Sequence, residues 1–233
     1  MKLLRSESTK IVLVRQNQIP IVKIANPKYV NDLVKLYSFA AVNQLQDPGT
    51  GNFGINFNNG IYVVDGKEIA IEGLTIETRK IIIQMEGSSE DAEAFYNIVK
   101  KYLSDLVEIH QEDLLVPVIV VDETVLISEL KFSPHKLFSN ILYNQVSENL
   151  LARASNEIST TRLGNLALTF HLDYEPIDFP LLADNRLSLS RKEFSIQVAP
   201  GYGVNDRVFI TKAPLNTNNH IEFLKDLETV LEK

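Results

Sequence analysis

The sequence contains neither cysteine nor tryptophan among its 233 residues. Without cysteine the chain forms no disulfide, offers no thiolate ligand to a metal and has no cysteine nucleophile. It also has no run of about 20 apolar residues, the length that a membrane helix needs. Arg5, Glu7 and Lys10 interrupt the amino-terminal stretch where a signal peptide would have its apolar core. These absences predict a cytoplasmic protein that does not enter the membrane.

Basic residues are too few and too scattered to form a surface for polyanions. Residues 1–116 carry 12 basic and 15 acidic side chains, and residues 117–233 carry 11 and 15, so neither half is positively charged. Affinity for nucleic acid depends largely on lysine and arginine that neutralise phosphates. The charge distribution therefore argues against nucleic acid as a partner.

One order of sequence patterns occurs twice in the chain. Residues 60–106 show three strand-like segments and then a helix, and the last quarter of the chain shows the same order. Phe95 and Phe223, on the two predicted helices, are 128 residues apart, and so are the strand positions Ile81 and Phe209. The equal spacing at a helix position and a strand position predicts an internal duplication.

Both predicted helices have an apolar stripe for packing. Ser88 and Asp91 stand at capping-box spacing and predict the start of the first helix. Its apolar residues then recur at helical spacing: Ala92, Phe95, Tyr96, Val99, Tyr102, Leu103 and Leu106. The stripe of the last helix is Phe223, Leu224, Leu227, Val230 and Leu231.

The segments before these two blocks also correspond, because each consists of an apolar strand and then a long helix. In the first half, a strand at 19–24 precedes a helix that begins at Pro27 and carries apolar side chains as far as Val42. In the second half, strand segments within 116–130 precede a helix at 136–154.

The chain is therefore predicted to be an α+β protein of two similar halves, 1–115 and 116–233. Each half has an antiparallel sheet with two helices on one face, in the order strand, helix, four strands, helix. This order resembles the repeat of the TATA-binding-protein-like fold, in which two such halves join their sheets into one curved surface with helices on the other face. The resemblance is topological, and the chain lacks the basic sheet face that the TATA-binding protein uses on DNA, so it does not imply DNA binding.

Three glycines form a possible phosphate-binding loop. Gly49, Gly51 and Gly54 fit the pattern G-x-G-x-x-G, which binds phosphate groups where it follows a strand and opens a helix. Here a predicted helix precedes the pattern and a strand follows it. A helix-to-strand loop is the favoured interpretation, and a nucleotide-binding loop is the alternative.

A row of possible metal ligands occurs on a predicted strand. His171, Asp173 and Glu175 stand at alternate positions, so their side chains would point to one side of the strand. Histidine and carboxylates are ligands for divalent metals. The same alternation is also typical of any strand with one wet face. A metal site is therefore the alternative to a solvated strand face.

Three aromatic residues surround a segment rich in asparagine and glycine. Phe53, Phe57 and Tyr62 surround Asn56-Phe57-Asn58-Asn59-Gly60, which is predicted to be an exposed hairpin tip. If these rings are exposed, they form an interaction surface, and if they face inward, they complete the core. Core packing is the favoured interpretation, and the interaction surface is the alternative.

The catalytic groups of a covalent hydrolase are not recognisable. The sequence has no G-x-S-x-G motif, and none of its four histidines is paired with an identifiable nucleophile. We therefore predict a non-catalytic protein without a cofactor that binds another protein or forms a homo-oligomer through its sheet or its loops. The alternative is a nucleotide- or metal-dependent enzyme that uses the glycine loop or the His171 row.

Overall fold

The computed structural model describes residues 1–14, 19, 21–46, 53–106, 117–137, 167–172 and 192–232. In these ranges the backbone forms nine strands and four α-helices. The strands are β1 (Lys2–Val14), β2 (Ala41–Gln46), β3 (Phe53–Val64), β4 (Lys67–Glu77), β5 (Lys80–Glu86), β6 (Pro117–Glu129), β7 (Ala167–Leu172), β8 (Lys192–Val198) and β9 (Val208–Ala213). The helices are α1 (Ile21–Ile24), α2 (Pro27–Tyr37), α3 (Ser89–Asp105) and α4 (Thr217–Glu232).

The described strands form one sheet in the order β2-β3-β4-β5-β1-β6-β9-β8-β7. The chain is therefore an α+β protein, as predicted. The prediction that each half has its own antiparallel sheet with two helices is wrong, because all nine strands belong to one sheet. The reason is that β1 and β6, each 13 residues long, lie in the middle of the order. Pairing at the middle removes the open backbone edges that two separate sheets would have there.

The chain divides into two compact units. Unit 1 comprises Met1–Arg5, Val125–Pro214 and Asn218–Lys233, and unit 2 comprises Ser6–Thr124 and Leu215–Thr217. The predicted boundary between residues 115 and 116 lies outside the described residues, so it stays a prediction.

The core of unit 2 lies between helices and one face of its strands. In β4 and β5 the buried side chains alternate with exposed or half-buried ones, as a sheet with one packed face requires. The antiparallel register places Leu74 opposite Ile83 and Ile76 opposite Ile81. Helix α3 packs on this face through buried Phe95, Val99 and Leu103, among others. The predicted capping box is confirmed, because Ser88 and Asp91 each bond the other's backbone N–H.

The segment before this core differs from the prediction at two places. Residues 21–24 form the short helix α1 instead of a strand, with Ile21 and Ile24 buried at helical spacing. Helix α2 begins at Pro27 as predicted but ends at Tyr37, well before Val42. Ser38 adopts a left-handed conformation with φ 53° that ends the helix, and β2 follows.

Residues 53–64 form one strand without a hairpin tip at 56–60. Asn59 has a left-handed φ of 54°, which produces a local irregularity inside β3. A Cβ atom at Gly60 would lie 2.5 Å from the Phe39 ring, so only glycine fits at this close approach. The predicted tip is wrong because the strand continues through Asn59 and Gly60. Glycine is needed at position 60 because the Phe39 ring packs directly against the backbone there.

Unit 1 contains β7, β8, β9 and α4, and its buried apolar residues include Leu126, Phe132, Ile196, Phe209 and Leu224. Residues 134–137 form a 3₁₀ turn. The rest of the helix predicted at 136–154 lies outside the described residues. None of the described helices combines the length and apolarity that crossing a membrane requires.

Candidate interaction surface

One of the three predicted phosphate-loop glycines lies within the described residues. Gly54 is part of β3, where it pairs with Leu45 on one side and Glu77 on the other. A Cβ atom at this position would lie 2.9 Å from Glu77 Cγ, so the glycine allows close packing between strands. Gly49 and Gly51 lie outside the described residues, and nucleotide binding at this loop stays a prediction.

One of the three predicted metal ligands is likewise described. His171 lies in β7, is exposed and pairs with Glu193 of β8. Asp173 and Glu175 lie outside the described residues. Within the described ranges, no three histidine, aspartate or glutamate side chains form a group that could hold a metal ion. The metal site at the His171 row stays a prediction.

The three predicted surface aromatics belong to the core side of β3. Phe57 and Tyr62 are buried, and Phe53 is half-buried against the core of unit 2. The Phe57 ring centroid lies 5.2 Å from that of Phe39, and the Tyr62 centroid lies 5.3 Å from that of Phe95. These contacts stabilise unit 2.

The sequence contains one further motif that sequence reasoning missed. Ser133 and Lys136 fit the pattern S-x-x-K. In that motif the lysine amine activates the serine hydroxyl. Here the exposed Lys136 Nζ donates a hydrogen bond to the Leu231 carbonyl at 2.7 Å. The lysine therefore contacts the end of α4 instead of acting as a base on Ser133.

A buried cation lies inside unit 2. The Lys10 side chain is 3% exposed, and its Nζ lies 2.7 Å from Asp122 Oδ1 and 2.9 Å from Glu93 Oε2. Burial alone would lower the pKa of Lys10, but the hydrogen bonds to Asp122 and Glu93 and their negative charges raise it above its usual value. The amine is thus held protonated, so it serves as an ion-pair partner and not as a nucleophile.

A constant spacing of 128 residues relates positions of α3 and α4. Helices α3 and α4 begin at Ser89 and Thr217, which exchange hydrogen bonds across 128 residues. The Ser89 N–H donates to Thr217 Oγ1 at 2.8 Å, and the Thr217 N–H donates to Ser89 Oγ at 2.9 Å. At this spacing, each residue of α3 has its counterpart in α4 128 positions later. The duplication itself stays a prediction.

The central strands correspond in the same way. The Val14 N–H donates to the Arg79 carbonyl at 2.9 Å, and the Leu130 N–H donates to the Arg207 carbonyl at 3.0 Å. Arg79 and Arg207 are again 128 residues apart, so Val14 corresponds to Leu130. Four residues earlier on each strand, the buried cation Lys10 corresponds to a fully buried leucine, Leu126.

In unit 2, one flank of α3 is covered by α2. The Phe95 ring is fully buried and lies 5.0 Å from the Tyr37 ring, edge to face. Two turns later, Tyr102 Oη donates to the Tyr29 carbonyl at 3.2 Å. Because the end of α2 contacts the start of α3 and its beginning contacts the end of α3, the two helices run antiparallel.

In unit 1, the corresponding flank of α4 is exposed and has no covering helix among the described residues. Phe223, which corresponds to Phe95, is 41% exposed, and Val230, which corresponds to Tyr102, is 68% exposed. Asp226 lies between them on the same side of the helix and is exposed. We call Phe223, Asp226 and Val230 the α4 flank.

The sheet extends this surface with two more rings. Phe194 of β8 is buried, and its ring lies 5.0 Å from that of Phe223. Phe170 of β7 also stacks on Phe194, at 6.1 Å, and is 53% exposed. Leu172, on the same face of β7, is also exposed. Two partly exposed aromatic rings, Phe170 and Phe223, thus both contact the buried Phe194 ring.

Below this surface lies a buried histidine. His220 of α4 is fully buried, and its ring lies 6.5 Å from that of Phe194. Burial lowers the pKa of His220 to about 4, because the protonated ring would lose its hydration. The imidazole is therefore neutral at physiological pH, so it contributes apolar packing under the surface.

Comparisons of the chain with known protein families, with curated proteins and with solved structures find no match.

Proposed function

We propose that this protein is a non-catalytic binding or assembly protein that contacts another protein, or its own copy, through the α4 flank and β7. The proposal rests on the exposure of Phe223 at a position where its counterpart Phe95 is fully buried. Phe170, Leu172 and Val230 are further exposed apolar side chains of unit 1. Contiguous exposed apolar side chains are typical of protein interaction sites, and aromatic residues are enriched at their centres.

The position of β7 in the sheet also supports protein binding. Among the described strands, β7 is the last of the order and pairs with β8 on one side. A strand at the edge of a sheet presents backbone N–H and C=O groups that a partner can pair with. Apolar side chains next to such an edge add contact area to the backbone bonds.

Photo-cross-linking in the cells that make the protein tests this proposal. A photoreactive phenylalanine analogue replaces Phe223, and in a control chain it replaces Val63, which is 60% exposed in unit 2. We expect covalent protein adducts of defined mass from position 223 and not from position 63. Adducts at twice the mass of the chain would identify a second copy as the partner. The proposal fails if position 223 gives no adduct or the same adducts as position 63.

A further inference from the structure

We infer that β2 pairs with the β2 strand of a second copy of the chain, antiparallel and about a two-fold axis at Asn43. The inference concerns an edge of unit 2 and goes beyond the proposed function, which uses the α4 flank and β7 of unit 1.

Strand β2 is an edge strand without the features that usually protect an edge. It stands first in the order of the described strands and pairs with β3 on one side. Native proteins commonly place lysine, proline or a bulge at an edge to prevent pairing with other chains. Residues 41–46 include no charged residue and no proline, and their pairs with β3 follow one register without a shift. The strand is therefore suited to pairing with another chain.

The backbone groups of three β2 residues face away from β3. The Ala40 N–H donates towards β3, to the Asn59 carbonyl at 3.1 Å. In an antiparallel ladder, residues that bond to the neighbouring strand alternate with residues whose N–H and C=O point to the other side. The even-numbered residues of β2 thus bond to β3, while Ala41, Asn43 and Leu45 direct their N–H and C=O outward. All three of these residues are exposed.

A two-fold axis at Asn43 uses all three outward-facing residues. Asn43 then pairs with Asn43 of the second copy, and Ala41 of each copy pairs with Leu45 of the other. Each of the three pairs exchanges two backbone bonds, which makes six, whereas a register displaced by two residues keeps two pairs and four bonds. The centred register also places the small Ala41 side chain beside the larger Leu45.

The amide side chains at this axis complement their own copies. Asn43 lies opposite Asn56 of β3. The Asn56 amide is held in place, because it accepts from Thr75 Oγ1 and donates to Asn58 Oδ1, both at 3.0 Å. The axis would bring the Asn43 amides of the two copies together, and each amide group can donate to and accept from the other.

The charge near β2 favours a second copy over a charged partner. The chain has a net charge of −7, so two copies repel one another at most surfaces. A two-fold axis brings identical residues together, and a charged residue at position 43 would therefore face a like charge. Glu77, two strands in from Leu45, forms an ion pair with Lys80 at 3.2 Å. The edge is thus neutral where the copies would meet.

Cysteine cross-linking of the full-length protein tests the register. The chain has no cysteine, so Asn43→Cys introduces a single thiol. Opposed residues of a hydrogen-bonded pair have Cα atoms about 5.5 Å apart, which is within the range of a disulfide. Under mild oxidation with copper phenanthroline, we expect Asn43→Cys to form a disulfide dimer at least about tenfold faster than Gln44→Cys. The control thiol at position 44 is also at an exposed site, but it would lie opposite Val42 of the second copy.

Sedimentation equilibrium measures the dimer itself. One strand pair makes a small interface, so we expect a Kd of about 10–100 µM. Asn43→Lys would place two like charges at the axis and should raise the Kd at least about tenfold. Val63→Lys, at an exposed position near the other end of β3, should leave the Kd unchanged. Circular dichroism checks that both variants fold.

Three results would overturn the inference. The first is a parent chain that stays monomeric well above about 100 µM. The second is a parent dimer that Asn43→Lys leaves unchanged, or equal oxidation rates at positions 43 and 44. The third is a series of oligomers larger than a dimer, because β2 would then pair with a different edge. None of these results alters the expected cross-linking from position 223, so this inference and the proposed function can fail separately.

Discussion

Helices α3 and α4 begin 128 residues apart, and positions at that spacing have different surroundings. In unit 2, α2 covers the flank of α3 and buries Phe95 completely. In unit 1, the corresponding Phe223 is 41% exposed within the described structure. The same residue type at the same helical position is thus a core residue in one unit and a surface residue in the other. The covering layer, and not the helix, decides which role the ring has.

The largest expected effect is on the free energy of unfolding when the Phe95 or Phe223 ring is removed. The loss should be much greater at position 95 than at position 223. Phe95→Ala removes a fully buried ring, so we expect the free energy of unfolding to fall by about 3–5 kcal/mol. Phe223→Ala removes a ring that already contacts water, so we expect a loss below about 1.5 kcal/mol. Urea unfolding followed by circular dichroism measures both. If Phe95→Ala does not fold, Phe95→Leu and Phe223→Leu give the same comparison. Equal losses would contradict the difference between the flanks.

The second prediction concerns His220, which corresponds to Ala92 in α3. The folded pKa of His220 is about 4, below its usual 6.5, so protons bind the unfolded chain more strongly. Above pH 6.5 the residue keeps its full contribution to stability. As the pH falls from 6.5 to 4, the free energy of unfolding should drop by up to about 3 kcal/mol because of this residue.

The variant His220→Ala isolates this contribution from other titrating groups. Its unfolding free energy should depend less on pH between 6.5 and 4 than that of the parent chain, while both follow the same trend above pH 6.5. Urea unfolding at several pH values gives both curves. Parallel curves through the acidic range would show that His220 is not buried in its neutral form.

The third prediction concerns Lys10, the buried cation of unit 2, whose counterpart in unit 1 is the buried Leu126. Asp122→Ala leaves Lys10 buried with Glu93 alone, so we expect a loss of about 2–3 kcal/mol, somewhat below that of a fully broken buried pair. Replacing both charges, with Lys10→Met and Asp122→Leu, should cost less than Asp122→Ala alone. Urea unfolding compares them. A double variant less stable than the single one would mean that packing, and not unpaired charge, accounts for the loss.

The smallest expected effect is at the paired helix starts. Ser89→Ala leaves the buried Thr217 N–H without its acceptor, which should cost about 1–2 kcal/mol. Thr217→Ser keeps the hydroxyl that accepts from the Ser89 N–H, and should change stability by less than about 0.5 kcal/mol. Equal losses in the two variants would argue against the reciprocal bonds.

The sequence predicts the features that depend on local signals. The capping box at Ser88 and the buried stripe of α3 follow from spacing within one helix, and both are confirmed. The end of α2 was not predicted, because Phe39 and Val42 continue the apolar pattern past Tyr37. Ser38 ends the helix with a left-handed backbone, which the apolar spacing does not reveal. Buried Phe39 then lies in the loop after α2, and half-buried Val42 lies in β2.

Features that depend on distant segments could not be predicted in this way. The single sheet requires β1 and β6 to lie in the middle of the strand order, and neither strand has a local signal for its neighbours. The exposure of Phe223 is also invisible in the stripe of α4, which matches that of α3. The charge pattern gives one signal for the exposed flank of α4, because Glu222 and Asp226 stand where α3 has Ala94 and Ile98.

Thiol labelling tests the open α4 flank most directly, because the chain has no cysteine of its own. The purified single-cysteine variants Phe95→Cys, Phe223→Cys and Val230→Cys are treated with a maleimide under native conditions. We expect the variants at 223 and 230 to react nearly as fast as a small free thiol, and the variant at 95 to react only through unfolding. If positions 223 and 230 are as protected as position 95, the flank is covered and the account of this surface is wrong.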